Sequence, residues 1–306
     1  MSTILPAVQT RDFASPEAVA ALRARPGFAA AMRQSAAGIV AMYQGGHLLN
    51  WLVDDRGRVL FGYFALFLHV TRDPADPASG LTPTRMKAMC TEFGICSAGR
   101  AGAMLSLMRF SGYLMPDIQV VDRRQRRLVA TEKLVALLRE RWRLHFAAMA
   151  PLLPDGADLR DALETQSFMA RFVPELVARF RAGFRPVQYG PGLGLFGERN
   201  AGMLVLMSLL AAGEAGDTVP PSRPVRMSLA ALARRFSVSR QHVVNIMRDA
   251  ERESMIARTG DRVTITPALA DGAQNFFASL YLLFADCARI AMAETDAANI
   301  RNRTGT

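Results

Sequence analysis

Two stretches of this 306-residue chain lie over each other at one constant spacing. Such a duplication limits the fold more than composition does, because each copy has to build the same supersecondary unit. Residues 85–113 read RMKAMCTEFGICSAGRAGAMLSLMRFSGY and residues 228–256 read SLAALARRFSVSRQHVVNIMRDAERESMI. Setting Phe93 on Phe236, an offset of 143 (236 minus 93), also sets Met86 on Leu229, Met89 on Leu232, Ile95 on Val238 and Met104 on Met247. The same offset holds upstream, where residues 60–70 (LFGYFALFLHV) meet residues 203–213 (MLVLMSLLAAG), each followed by a polar, Pro-containing loop. Downstream it shrinks to about 135 (266 minus 131), because the first copy carries a longer basic insertion before LVAT at 128–131, matched to TIT at 264–266. That insertion falls where a hairpin loop is expected.

Both copies then run into a long apolar-periodic segment, residues 132–150 and 268–292, that reads as a helix. The copies are therefore placed at 28–150 and 165–295. Residues 151–164 form a linker that opens on the helix-stopping run PLLPDGAD. Residues 1–27 are expected to be an N-terminal extension and 296–306 a tail.

In the second copy Ser228 caps a short helix, LAALARRF; Ser237 and Val238 end it, and Ser239 caps the next helix, RQHVVNIMRDAERESMI. Leu232, Ala233, Val238, Val243 and Ile246 supply the contacts between these helices, which leaves Arg240, Gln241, His242, Asn245 and Arg248 outside. Those residue types read base edges: Arg forks onto guanine, and Gln or Asn onto adenine, from the N-terminal half of a helix in the major groove. Two β-prone runs around Thr259, Gly260 and Asp261 follow, tipped with Arg258 and Arg262. Helix, turn, helix and hairpin is the order of a winged helix-turn-helix.

The first copy repeats that order. Thr82 and Pro83 open a helix, Gly94, Ile95 and Cys96 make the turn, and Ser97 caps the following helix. Its hairpin, IQVVDRRQRRLVAT, carries Arg123, Arg124, Arg126 and Arg127 at the tip, a cluster suited to phosphate or the minor groove. The recognition face runs Ser97, Ala98, Gly99, Arg100, Ala101, Gly102 and offers few side chains for reading bases, so this copy is expected to grip more than it reads.

Composition fits the pattern. Half of the residues are hydrophobic and only 8% aromatic, with Ala and Leu dominant, which favours helix. The expected fold is mainly α with small β-hairpin wings, as tandem winged helix-turn-helix repeats arranged as an intramolecular pseudo-dimer. The net charge of +10 is carried largely by Arg, whose guanidinium matches phosphate oxygens in pairs. Residues 82–131 hold eight Lys or Arg against three acids, and 226–266 eight Arg against four, so +5 and +4 of the excess sit in the two helix-turn-helix and hairpin stretches.

Other chemistries lack support. Three cysteines, Cys90, Cys96 and Cys287, make no disulfide framework, and a reducing cytoplasm fits them. The N-terminus has no signal-peptide pattern, and the apolar runs 59–70 and 201–212 are too short to cross a bilayer. GLGLFG at 192–197 satisfies G-x-G-x-x-G but follows no strand of a βαβ unit, so a link between helices, or the wall of an effector pocket, is the better account. His47, His69, His145 and His242 have no short-range metal-ligand partner. No paired carboxylates, nucleophile elbow or phosphate loop stands out; no enzymatic activity, cofactor or metal is expected.

The pattern resembles the winged-helix transcription regulators, and among them the MarR type, over roughly residues 60–150 and 203–292, through the order of its elements. The resemblance implies that residues 239–248 form the second copy's recognition helix and the Arg-rich hairpins the wings, on double-stranded DNA. Having both units in one chain, it implies a monomer acting as a pseudo-dimer, or a homodimer, without a membrane, and half-sites one helical turn, about 10 base pairs, apart. Regulators of this type often answer to a small molecule held between the dimer helices and the reading head. Candidate linings are Trp51, Phe61, Tyr63, Phe64 and Phe67 in one half and Phe172, Phe180, Phe184, Tyr189 and Phe196 in the other. Two alternatives stay open: a replication initiator of plasmid type binding origin repeats, and a non-catalytic tandem winged-helix scaffold that binds proteins.

Overall fold

A computed structural model describes residues 13–43, 56–76, 78–118, 126–165, 167–213 and 217–304, with backbone alone for 56–58 and 295–304. The first half holds α1 (Pro16–Arg23), α2 (Phe28–Ala41), α3 (Arg56–Val70), α4 (Pro83–Glu92), α5 (Ala98–Phe110), β1 (Leu114–Pro116), β2 (Leu128–Ala130) and α6 (Glu132–Met149). A 3-10 turn at Ala150–Leu152 and α7 (Gly156–Ala162) lead into α8 (Phe168–Arg181), a second 3-10 turn at Pro186–Tyr189, α9 (Gly194–Gly197) and α10 (Gly202–Ala211). Then come β3 (Val225–Arg226), α11 (Leu229–Arg235), α12 (Arg240–Arg252), β4 (Ile256–Thr259), β5 (Arg262–Ile265) and α13 (Pro267–Thr304). The chain is mainly helical with two small antiparallel sheets.

The helix starts follow from side chains that satisfy otherwise unpaired N–H groups. Thr82 accepts from the Arg85 amide, Ser97 from Arg100, Ser228 from Ala231 and Ser239 from His242, at 3.0–3.3 Å. The turns between the paired helices match as well. Gly94 (φ 61°) and Ser237 (φ 56°) take the left-handed conformation at positions 143 apart (237 minus 94). The Ile95 amide reaches back to the Cys90 carbonyl, as Val238 does to Ala233.

Past the turn the spacing is 142, not the expected 143. Ser97 corresponds to Ser239, and the buried Ala101, Met104, Leu105 and Met108 of α5 correspond to Val243, Ile246, Met247 and Ala250 of α12. The first turn holds one extra residue, Cys96, so Met104 lies over Ile246 rather than Met247.

Each helix pair feeds a hairpin. Leu114 pairs with Ala130 and Pro116 with Leu128 in the first, and Ile256 with Ile265 and Thr259 with Arg262 in the second, around Gly260 at φ 63°. A further backbone segment adds to the outer side of each: Leu81 bridges Leu128, and Val225 of β3 pairs with Val263.

The two halves share one core instead of building two. Helix α2 of the first half packs on α10 of the second, and α8 of the second packs on α3 of the first. Within each half, α2 also lies on α6 and α8 on α13. At the centre the rings of Trp142, Phe146, Phe168, Phe172 and Phe284 stack or meet edge to face with centroids 5.1–6.3 Å apart.

Segments expected to be peripheral take part in the fold. The N-terminal extension contains α1, which buries Val19 and Leu22 and docks on α13 through Arg23, whose guanidinium donates to Asp271, Gln274 and Asn275. The linker contains α7, with Leu159 and Leu163 buried and Asp155 paired to Arg289 at 2.7 Å. The tail is helical as far as Thr304, so α13 spans 38 residues. Its section Pro267–Glu294 is long and apolar enough to cross a membrane, which the sequence reading missed because Asp271, Gln274 and Asn275 break its apolar runs. In this fold 56% of the most apolar window is already buried against protein.

Candidate nucleic-acid interface

The amino ends of α11 and α12 and the β4–β5 hairpin surround a shallow hollow lined by Arg226, Ser228, Arg240, Arg258, Gly260 and Asp261. Arg234, Arg240, Arg258 and Arg262 have no ion-pair partner among the described residues. Arg226 stands 3.8 Å from Asp261 with both side chains mostly exposed, a solvent-screened pair. Uncompensated guanidinium groups on two edges of one hollow make a surface that attracts polyanions.

Along α12 the expected reading residues divide. Ser239 is exposed and its Oγ accepts from the His242 amide; Arg240 and Gln241 are exposed. The Gln241 amide donates to Asn245 Oδ1 at 3.0 Å, which orients both side chains, with Asn245 half-buried. Arg248 is exposed, 3.9 Å from Asp249. Arg258 is half-buried on β4, and Arg262 is exposed on β5. His242 departs from the expectation: it is half-buried, and its Nε2 donates to the Asn200 carbonyl at 2.8 Å, so it anchors α12 to the segment before α10 instead of facing a groove.

In the first half Ser97 caps α5 and Arg100 is exposed. Arg123 and Arg124 lie outside the described residues, and Arg126 is exposed. Arg127 is a correction. Its side chain is 7% exposed and its Nε donates to Asp117 at 2.8 Å, while Arg72, just past α3, approaches the same carboxylate at 3.1 Å. A buried carboxylate held between two guanidiniums fixes the hairpin base to the segment that follows α3, and a residue so used is not at the tip.

The Cys90 thiol is buried and pushed up to about 12 by desolvation and then by Cys96, which leaves it a small apolar group and not a nucleophile. GLGLFG becomes a tight turn and the short α9, and just before it Gly190 lies so close to α13 that a Cβ there would meet the Gly272 carbonyl at 2.4 Å.

Behind the second hairpin unit a cavity of about 150 Å³ opens where the two halves meet. Of the aromatic side chains expected to line an effector pocket, Tyr63 and Phe180 do, and Gly197 from GLGLFG forms part of the wall. Phe61, Phe64, Phe172 and Phe196 are wholly buried in the core, Phe67, Phe184 and Tyr189 pack against it, and Trp51 lies outside the described residues.

His145 of α6 lines this cavity at 4% exposure, and burial, then the nearby Arg141, holds its pKa down at about 3. A folded-state value below the unfolded one, near 6.5, means that the unfolded chain takes up the proton first. Stability is then unaffected above about pH 6.5 and falls as the pH drops, by up to about 1.4 kcal/mol per pH unit, until the folded value is reached. His69, held down by burial and then by Arg72, adds to the same loss. Urea unfolding of the protein between pH 6.5 and 5 should show this slope, and His145→Gln should flatten it by about one proton. An unchanged slope in the variant would assign it to other groups.

No family model matches the chain, and neither does a curated protein or a solved structure.

Several site features escaped the sequence. Asp249 is buried on α12 and is held by Arg199 from the cavity wall and by Arg252 at 3.2 Å. The only sequence signal was an acid on the otherwise apolar side of an amphipathic helix. Arg141 and His145 stand four apart on α6, a spacing that puts both on one face. Nothing local says that this face looks into a cavity.

Proposed function

We propose that this chain is a sequence-specific double-stranded DNA-binding regulator that presents two winged helix-turn-helix heads in one pseudo-dimer. The observation that carries the reading is the cluster of arginines where α12 and the β4–β5 hairpin converge, with Arg240 exposed and Arg258 half-buried, neither paired to an acid among the described residues, and Arg226 met only by the solvent-screened Asp261, on the side where a recognition helix would enter the major groove. The exchanged packing supports the pseudo-twofold: α2 on α10 and α8 on α3 are the same contact made in both directions, the signature of an isologous arrangement.

The heads are unequal. Arg240, Gln241 and Asn245 give the second head base-reading groups, whereas Ala98, Gly99 and Gly102 leave the first with little besides Arg100. The operator is accordingly asymmetric, with one strongly specified half-site and one weakly specified, about 10 base pairs apart. A second reading, in which the first head docks protein, is favoured by the exposed apolar side chains Phe110, Met115 and Ile118 beside its hairpin.

Selection of bound sequences from random duplex DNA tests the proposal. Enrichment of one asymmetric site is the expected outcome; a bound pool indistinguishable from the input would remove sequence-specific regulation and leave the protein-docking reading.

A further inference from the structure

Among the described residues the large apolar side chains left exposed are Phe110, Met115 and Ile118, and all three fall within residues 110–118 of the first head. Phe110 and Ile118 are 85% and 87% exposed, so neither contributes to the core. The fold does not require them. At the spacing of 142 that aligns the helix pairs and the hairpins, the second head carries Arg252, Ala257 and Gly260 at the same three places and still forms the same helix end and hairpin. DNA does not require Phe110 either. It closes α5 at the end opposite Ser97 and Arg100, about 18 Å away at about 1.5 Å per residue, so a duplex met by the amino end leaves it in water.

The rim of this patch is cationic. Arg109 precedes Phe110 and is exposed, and Arg126 faces Ile118 across the hairpin when the antiparallel register is carried past Pro116 and Leu128. Lys133 reaches in from α6, its Nζ donating to the Ser111 carbonyl at 2.8 Å and standing 4.5 Å from the centre of the Tyr113 ring. Arg109 and Arg126 have no ion-pair partner among the described residues, and Asp117, the acid of the stretch, is taken up by Arg72 and Arg127. Aromatic side chains, Met and Arg are the groups that recognition surfaces favour.

Charge, area and backbone chemistry choose the occupant. A second copy meeting this patch face to face would set its cations against the same cations, and any other described surface of that copy would bring no exposed large apolar side chain. A bilayer is held only marginally even by a whole myristoyl chain, and three side chains bury less. Tyr113 and Asp117 spend their backbone groups on the partner strand, which leaves Pro116 on the outer edge of β1, and without an N–H it blunts strand addition. We infer that the carboxyl end of α5 and the first hairpin dock an acidic amphipathic helix of another protein, its apolar face on Phe110, Met115 and Ile118 and its carboxylates on Arg109, Arg126 and Lys133.

This inference rests on the second reading above, that the first head docks protein, and not on DNA binding by the second head. A display library of randomised amphipathic helical peptides, selected on the full-length chain and measured by fluorescence anisotropy, tests it. Enriched peptides should carry an excess of Asp and Glu beside an apolar face. Phe110→Ser combined with Ile118→Ser should weaken the best of them about thirtyfold, with the unfolding temperature unchanged because both side chains are exposed. Arg109→Glu combined with Arg126→Glu should weaken it about tenfold and make the same peptide with its acids changed to Lys the better ligand. Such a reversal of preference is an effect that misfolding does not mimic. Arg240→Ala, on the second head, should change neither.

Enriched peptides without the acidic excess, yet lost in the double Ser variant, would overturn the acidic partner and leave the docking reading standing. No enrichment, or peptides indifferent to the Ser variant, would overturn the docking reading as well. Self-association of the wild type that the Ser variant abolishes would put a second copy on the patch. Co-sedimentation with vesicles of equimolar phosphatidylglycerol and phosphatidylcholine, lost in the same variant, would put a bilayer there, and either result would overturn the inference.

Discussion

Phe172→Ala is expected to destabilise the whole chain by about 3–5 kcal/mol and to do so in a single unfolding transition. Phe172 is fully buried and touches Trp142 and Phe146 of α6, Phe168 of its own helix and Phe284 of α13, with centroids 5.1–6.2 Å apart. Removing the ring deletes those contacts and leaves a cavity that neighbours on three helices cannot close together. Because α6 belongs to the first half and α8 and α13 to the second, the loss cannot be confined to one repeat. A scanning calorimeter should record one peak lowered by roughly 6–10 °C, taking about 2 °C per kcal/mol for a chain of this size. Two resolved peaks, with only one displaced, would mean that the halves fold independently and that the exchanged helices contribute little to cohesion.

The distinction between local and distant determinants explains what the sequence could disclose. The caps Thr82, Ser97, Ser228 and Ser239, the hairpins and the long closing helices are written in residues within a few positions of one another, and a duplicated pattern doubles each signal. The one-residue slip after the first turn was hidden because Met104, Leu105, Leu107 and Met108 supply an apolar residue in either register. Arg127 looked like a wing-tip cation because its fate depends on Asp117 across the hairpin and on Arg72 in the segment after α3. His242 looked like a reader because the carbonyl that holds it belongs to Asn200, 42 positions earlier. The cavity is the extreme case, since its walls come from seven helices and three intervening segments. Helix periodicity marks an inward face; it does not say whether that face meets protein or an empty space.

Affinity for the selected DNA is expected to fall about a thousandfold between 50 and 200 mM salt, the behaviour of a protein that displaces counterions from roughly six phosphates. Arg234, Arg258 and Arg262 near the second hairpin and Arg126 on the first, with Arg226 in a solvent-screened pair with Asp261, supply most of that count. Against this background Arg240→Ala should cost about 1–3 kcal/mol on the selected site and nearly nothing on random duplex, because a bidentate contact to guanine is lost only where guanine is present. Asn245→Ala should act in the same direction and also free the Gln241 amide that it now orients. Arg124→Ala should weaken every sequence alike and lower the salt slope by about one. Arg127→Ala belongs to a third class: by leaving the Asp117 carboxylate with one fewer partner in a buried site, it should lower the unfolding temperature. If Arg240→Ala and Arg124→Ala reduced specific and random binding by the same factor, α12 would be gripping the backbone instead of reading bases, and the division of labour between helix and wing would fail.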